Sequence, residues 1–140
     1  MENIKIIIIN GPNLNLLGIR EPKIYGRTPF ETFLEQLQMS YPIFSIHYFQ
    51  SNHEGALIDK LHEVGFTYNG IILNPGAYAH TSLALADAVS SIETPVIEVH
   101  ISNIFAREEF RRQSLLAGRC LGLIAGLGLK GYELALEYFK

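Results

Sequence analysis

The stretch Ile4-Lys5-Ile6-Ile7-Ile8-Ile9-Asn10 decides the fold. It is β-branched and too short for a typical helix, so it reads as a strand buried on both faces, as strands of parallel sheets are. Downstream, Thr28-Pro29-Phe30-Glu31 supplies an N-cap, a proline at the first helical position and a glutamate three residues past the cap. Phe30, Phe33, Leu34 and Leu37 follow at helical spacing, which predicts the first helix. The alternation then repeats. Phe44 to Gln50 (FSIHYFQ) is the second strand, and Leu57, Ile58, Leu61 and Val64 form the stripe of a helix stopped by Gly65. Gly70 to Leu73 is the third strand and Ser82 to Ile92 the third helix. After Pro95, Val96 to Ile101 is the fourth strand, Leu121 to Ala125 the fifth, and Tyr132 to Phe139 the closing helix.

Strands alternating with helices imply a parallel sheet covered on both faces with right-handed crossovers. Five units of this length predict an α/β, flavodoxin-like three-layer sandwich with a five-stranded parallel sheet in the order 2-1-3-4-5. With 140 residues and no repeat or linker, residues 1–140 are expected to form a single domain. Hydrophobic residues at 48% against 18% charged exclude a disordered chain. A formal charge of −3 provides no basic field for nucleic acid. The lone Cys120 excludes an internal disulfide and reads as a small buried hydrophobe. Met1 to Asn10 carries one basic and one acidic residue around a run of four isoleucines. That is neither a signal peptide nor a membrane span, so a cytoplasmic protein is expected.

In open α/β sheets ligands bind beyond the carboxyl ends of the strands, where the strand order reverses. The polar residues collect there. After strand one come Gly11-Pro12-Asn13, then Gly18, Arg20, Tyr25 and Gly26; after strand three, Asn74-Pro75-Gly76 and His80. Strand four carries Glu98 and His100 and leads to Ser102, Arg107, Arg111 and Arg112. Each cluster alone has a plain reading, since the two turn strings are common punctuation and the arginines suit a solvated helical face. Core packing gives no reason to gather all three at one end of a sheet.

Glu98 and His100 lie two apart on a strand and share a face, so the carboxylate can orient the imidazole as a poised acid. Arg20 and Tyr25 share one loop. A tyrosine serves as a base near neutral pH only where a cation stabilises its phenolate, and guanidinium is permanently charged. The segment Leu17 to Arg27, bounded by Gly18 and Gly26, is a candidate lid.

Two rival readings compete with this one. A metal-dependent hydrolase would use Glu98, His100 and His80 as ligands, but H-x-x-x-H and H-E-x-x-H spacings are missing and the arginines would repel a cation. A non-catalytic flavodoxin-like module would hold a small ligand in the same crevice, yet strand one ends in Asn10-Gly11-Pro12 rather than an acidic pair. Gly126-Leu127-Gly128-Leu129-Lys130-Gly131 matches G-x-G-x-x-G, but nine residues beyond it are too few for a dinucleotide unit. It reads as a tight connection into the last helix.

The blocks GPNLNLLGIREPKIYG (11–26), FQSNHEG (49–55), ILNPGAYAHTSLALADA (72–88), IEVHISN (97–103), REEFR (107–111) and the closing GLGLKGYELAL carry a family resemblance. Over nearly its whole length the chain resembles the type II 3-dehydroquinate dehydratases of the shikimate pathway. The resemblance implies a flavodoxin-like fold, a homododecamer built as a tetramer of trimers, and no metal or organic cofactor. It implies anti elimination of water from 3-dehydroquinate through an enolate, giving 3-dehydroshikimate, in aromatic amino acid biosynthesis or quinate breakdown. Carried onto this chain, Tyr25 takes the C2 proton, Arg20 stabilises its phenolate, and Asn13 supports the enolate through an ordered water. His100, oriented by Glu98, protonates the departing C1 hydroxyl. Asn74, His80, Ile101, Ser102 and Arg111 match substrate-binding positions, and Asp87 matches a residue given to a neighbouring subunit's site. The departures are Ala79, where threonine is frequent, and Gln113, where histidine is frequent.

Overall fold

The isoleucine run is shielded on both sides: Ile6, Ile8 and Ile9 have no exposed surface and Ile7 only 3%. Successive strand residues point to opposite faces, so one run feeds two cores. In the computed structural model, which describes residues 3–19, 21–25 and 28–140, these cores lie on either side of one sheet. Its strands are β1 (Ile4–Asn10), β2 (Phe44–Gln50), β3 (Gly70–Asn74), β4 (Val96–His100) and β5 (Gly122–Ala125). All pairings are parallel and the order is β2-β1-β3-β4-β5, the predicted one.

The helices are α1 (Pro22–Tyr25), α2 (Phe30–Ser40), α3 (Glu54–Val64), α4 (Leu83–Ser91) and α5 (Lys130–Phe139). Ile6 and Ile8 pack with Phe44, Ile72 and Val99 against Phe30 and Leu37 of α2 and Tyr132 and Leu136 of α5. Ile7 and Ile9 pack with Ile71 and Leu73 against Leu57 and Leu61 of α3 and Leu85 and Val89 of α4. Three layers result. Each fully buried isoleucine contributes about 1.5–3 kcal/mol of burial free energy, which is why this stretch fixes the centre of the sheet. Among the described residues, no helix is long and apolar enough to cross a membrane.

Several element ends differ from expectation. Thr28 does not cap α2: Pro29 stands at the N-cap, extended at ψ 146°, and Pro29 O accepts from Phe33 N–H, so the helix starts one residue later. Ser82 does cap α4, its Oγ accepting from Leu85 N–H at 2.9 Å. β3 continues to Asn74, β4 stops at His100, β5 starts at Gly122, and α5 begins at Lys130, two residues before the expected start. The arginine-rich stretch is not a helical face. It forms short 3-10 turns at Ile104–Ala106, Glu109–Arg111 and Ala117–Arg119. The single helical turn α1 was not foreseen.

The glycine string after β5 is the tight connection expected. Gly126 and Gly128 have φ of +89° and +63°, a region that favours glycine, and their N–H groups donate to His100 O and Ile101 O. The string thereby fastens the end of β4.

Candidate active site

Asn10 and Asn74, the last residues of β1 and β3, are register partners. The turns beyond them touch: Gly11 N–H donates to Asn74 O at 2.7 Å, and a Cβ at Gly11 would lie 2.6 Å from Pro75 O. Only glycine fits there. Asn13 follows with φ +70°, a left-handed conformation asparagine tolerates, and its N–H donates to Asn52 Oδ1. These turns form one wall of a pocket with about 600 Å³ of empty space, partly open to solvent. Asn13, Asn74 and His80 line it from the β1 and β3 ends, and His100, Ile101, Ser102, Arg107 and Arg111 from beyond β4. Asn13, Asn74 with His80, and His100 with Ser102 and Arg111, one set from each of the three polar clusters, converge at the strand-order reversal.

Glu98 has no exposed surface and His100 only 5%. Their side chains meet as the two-residue strand spacing requires, His100 Nε2 lying 2.5 Å from Glu98 Oε2. A carboxylate only accepts, so Nε2 carries a proton there and Nδ1 is the nitrogen left for a ligand. Sequence reasoning missed the third member of this group. Ser114 Oγ–H points at both Glu98 oxygens, at 2.9 and 2.8 Å.

His80 is fixed from the same segment: its Nδ1 lies 2.7 Å from Gln113 O, which can only accept, so Nδ1 is the protonated nitrogen. The His80 and His100 rings are stacked with centroids 6.1 Å apart. Asn74 is held at both ends of its amide. Oδ1 accepts from Gly76 N–H at 3.1 Å, and Nδ2 donates to the Tyr132 hydroxyl at 2.8 Å. Burial pushes the Tyr132 phenol far above its ordinary pKa, so it stays a neutral donor and acceptor. Tyr132 was also missed, because its hydroxyl reaches the site from α5, across the sheet's far core.

The arginines differ in placement. Arg107 Nη1 lies 3.4 Å from Ser102 Oγ. Arg111 Nε is 3.1 Å from Glu108 Oε2, an ion pair without hydrogen-bond alignment. Glu108's own backbone N–H, together with Arg111 and Arg107, holds that exposed carboxyl below its usual range. Arg112 instead turns back to donate to Arg107 O and does not line the pocket. Asp87 lies apart, exposed on α4 and paired with Arg119. Arg20, Gly26 and Arg27 lie outside the described residues, as does the Tyr25 side chain, so the side chain of the expected base, its cation and three residues of the candidate lid (17–27) are not placed. Among the described residues, no three His, Cys, Asp or Glu side chains gather as a metal site would need.

The family model for dehydroquinase class II matches residues 4–140. The chain belongs to the class II dehydroquinases. It is 57% identical over 137 residues to the 3-dehydroquinate dehydratase of Bacillus licheniformis, covering 96% of this chain and 94% of that one. With the Bacillus subtilis 3-dehydroquinate dehydratase it shares 55% identity over 135 residues, 94% of this chain and 90% of the relative. The crystal structure of the type II dehydroquinase from Butyrivibrio crossotus superposes with a TM-score of 0.94 at 47% identity, covering 98% and 97% of the two chains. Ala79 and Gln113 both bond through main-chain oxygens to residues far from them in sequence. Ala79 O accepts from Leu115 N–H, and Gln113 O accepts from His80.

Proposed function

We propose that this class II dehydroquinase removes water from 3-dehydroquinate to give 3-dehydroshikimate by anti elimination through an enolate. The observation that carries this reading is a histidine held by a wholly buried carboxylate in a pocket at the strand-order reversal, in a chain of this family. Eliminating water beside a ketone requires a base, stabilisation of enolate charge, and an acid for the hydroxyl.

Tyr25, as phenolate stabilised by Arg20, takes the C2 proton, and the C–H electrons move into the enolate. Asn13 steadies the enolate through a water. As the enolate collapses, the C1–O bond breaks and the hydroxyl leaves as water with a proton from His100. Because Nε2–H is committed to Glu98, the transferred proton comes from Nδ1. Asn74, His80, Arg111, the Ser102 hydroxyl and the Ile101 N–H bind the substrate.

Asp87 serves a neighbouring subunit in a homododecamer, a tetramer of trimers. Its exposure on α4 outside the pocket, with the exposed Leu83 one turn earlier, supports that role. Residues 1–140 act as one domain, in the cytoplasm, without a cofactor. The test mixes purified protein with 3-dehydroquinate and follows the ultraviolet absorbance of the conjugated enone, with and without EDTA. Turnover that survives the chelator supports the reading. Binding without turnover would favour the binding module, and loss with EDTA the metal-dependent rival.

A further inference from the structure

We propose that Ser114 is a positioning residue that sets the direction of the Glu98 carboxylate and, through it, the tautomer and orientation of the His100 ring. This rests on reading His100 as the acid of the elimination. A serine hydroxyl has one proton and two acceptor lone pairs. Ser114 Oγ already accepts from Leu116 N–H at 3.2 Å and Ala117 N–H at 3.1 Å. With the acceptor side taken, the proton is directed to the carboxylate, where it is shared between Oε1 at 2.9 Å and Oε2 at 2.8 Å. A carboxylate without exposed surface needs its donors nearby, because a buried charge left short of partners is costly. The hydroxyl anchors the carboxylate head through both oxygens, and with that anchor in place Oε2 faces His100 Nε2.

The neighbouring residue does the corresponding work for His80, whose Nδ1 donates to Gln113 O. Two consecutive residues of one loop therefore set the ring tautomers of both pocket histidines. A purely structural serine would need only its lone pairs, accepting from the Leu116 and Ala117 N–H groups ahead of the turn Ala117–Arg119. The proposal concerns the proton, and the two roles separate experimentally.

The test compares the wild type with Ser114→Ala, Glu98→Gln and the double variant, reading kcat, KM and the long-range 1H–15N spectrum of the imidazoles. We expect Ser114→Ala to lower kcat about 10- to 100-fold, the loss that follows removal of a hydrogen bond to a charged group. KM should stay within about twofold. The Nε2–H signature of His100 should give way to mixed tautomers while the Nδ1–H signature of His80 persists. In the Glu98→Gln background, Ser114→Ala should cost less than about twofold more, because the pathway of influence is already cut. Ser114→Cys, a weak donor of similar shape, carries the same comparison if the alanine variant does not fold. Losses that add across the double variant, an unchanged kcat in Ser114→Ala, or an unaltered His100 tautomer would each overturn the proposal. If wild-type protein fails to turn over 3-dehydroquinate, the functional reading falls, while the ring spectra still decide what Ser114 does.

Discussion

Tyr132 Oη donates a 2.8 Å hydrogen bond to Asn10 Oδ1, joining α5 to the end of β1 across 122 positions of sequence. The same oxygen accepts from Asn74 Nδ2, so one buried phenol ties together the two strands whose ends open the pocket. Tyr132→Phe leaves Asn10 Oδ1 and Asn74 Nδ2 without this partner. Urea unfolding should show a loss of about 1–3 kcal/mol, the cost of stranding buried polar groups. KM for 3-dehydroquinate should rise as Asn74 loses its orientation. A variant as stable as wild type, with unchanged KM, would show that neither asparagine depends on the phenol.

Tyr25→Phe should abolish dehydration while leaving substrate affinity close to wild type, measured by equilibrium binding of unconverted 3-dehydroquinate. Near-normal turnover would remove Tyr25 as the base. Arg20→Ala should move the rising limb of the pH–rate profile to higher pH, because a phenol without a neighbouring cation surrenders its proton later.

Gly11→Ala should damage both fold and pocket. The added methyl would meet Pro75 O at 2.6 Å and Pro75 C at 2.8 Å, main-chain atoms that cannot swing aside like the tip of a side chain. A stability loss of about 1–3 kcal/mol is expected from such overpacking, together with a raised KM as the two turns separate. Thermal melts and initial rates check it; a variant indistinguishable from wild type would mean the turns move apart freely.

Cys120 should be nearly inert to disulfide reagents at pH 8. Burial, helped by the nearby Glu98 charge, pushes its thiol up to about 12. Thiolate at pH 8 then amounts to about one molecule in 10⁴, and the folded protein should react on the order of a thousandfold more slowly than unfolded chain. The sign for stability follows from linkage. The unfolded thiol ionises first, so above about pH 8.5 the unfolded state binds fewer protons and stability falls with rising pH. Rapid labelling of native protein would contradict the packing of Cys120 against the α3 and α4 core.

The strand ladder was legible because its signals are local. A β-branched run of fixed length, or an aromatic run such as Phe44 to Gln50, marks a strand without knowledge of its neighbours, and β2 has those bounds. The pairing of Glu98 with His100 was equally local, since strand pleat alone puts them on one face. The plain alternative for the arginine-rich stretch, a helical face, fails because helical spacing carries no information about a chain held by tertiary contacts, as Leu115 N–H to Ala79 O holds this one. Ser114 and Tyr132 were invisible for a related reason. Their hydroxyls act on residues 16 and 58 positions away, and no periodicity reports such a meeting.

Position 113 meets His80 through its carbonyl, while the residue itself is exposed. A cysteine introduced there, alongside a native thiol too sluggish to compete, offers an anchor for a fluorescent reporter on a residue whose main chain touches the His80 ring.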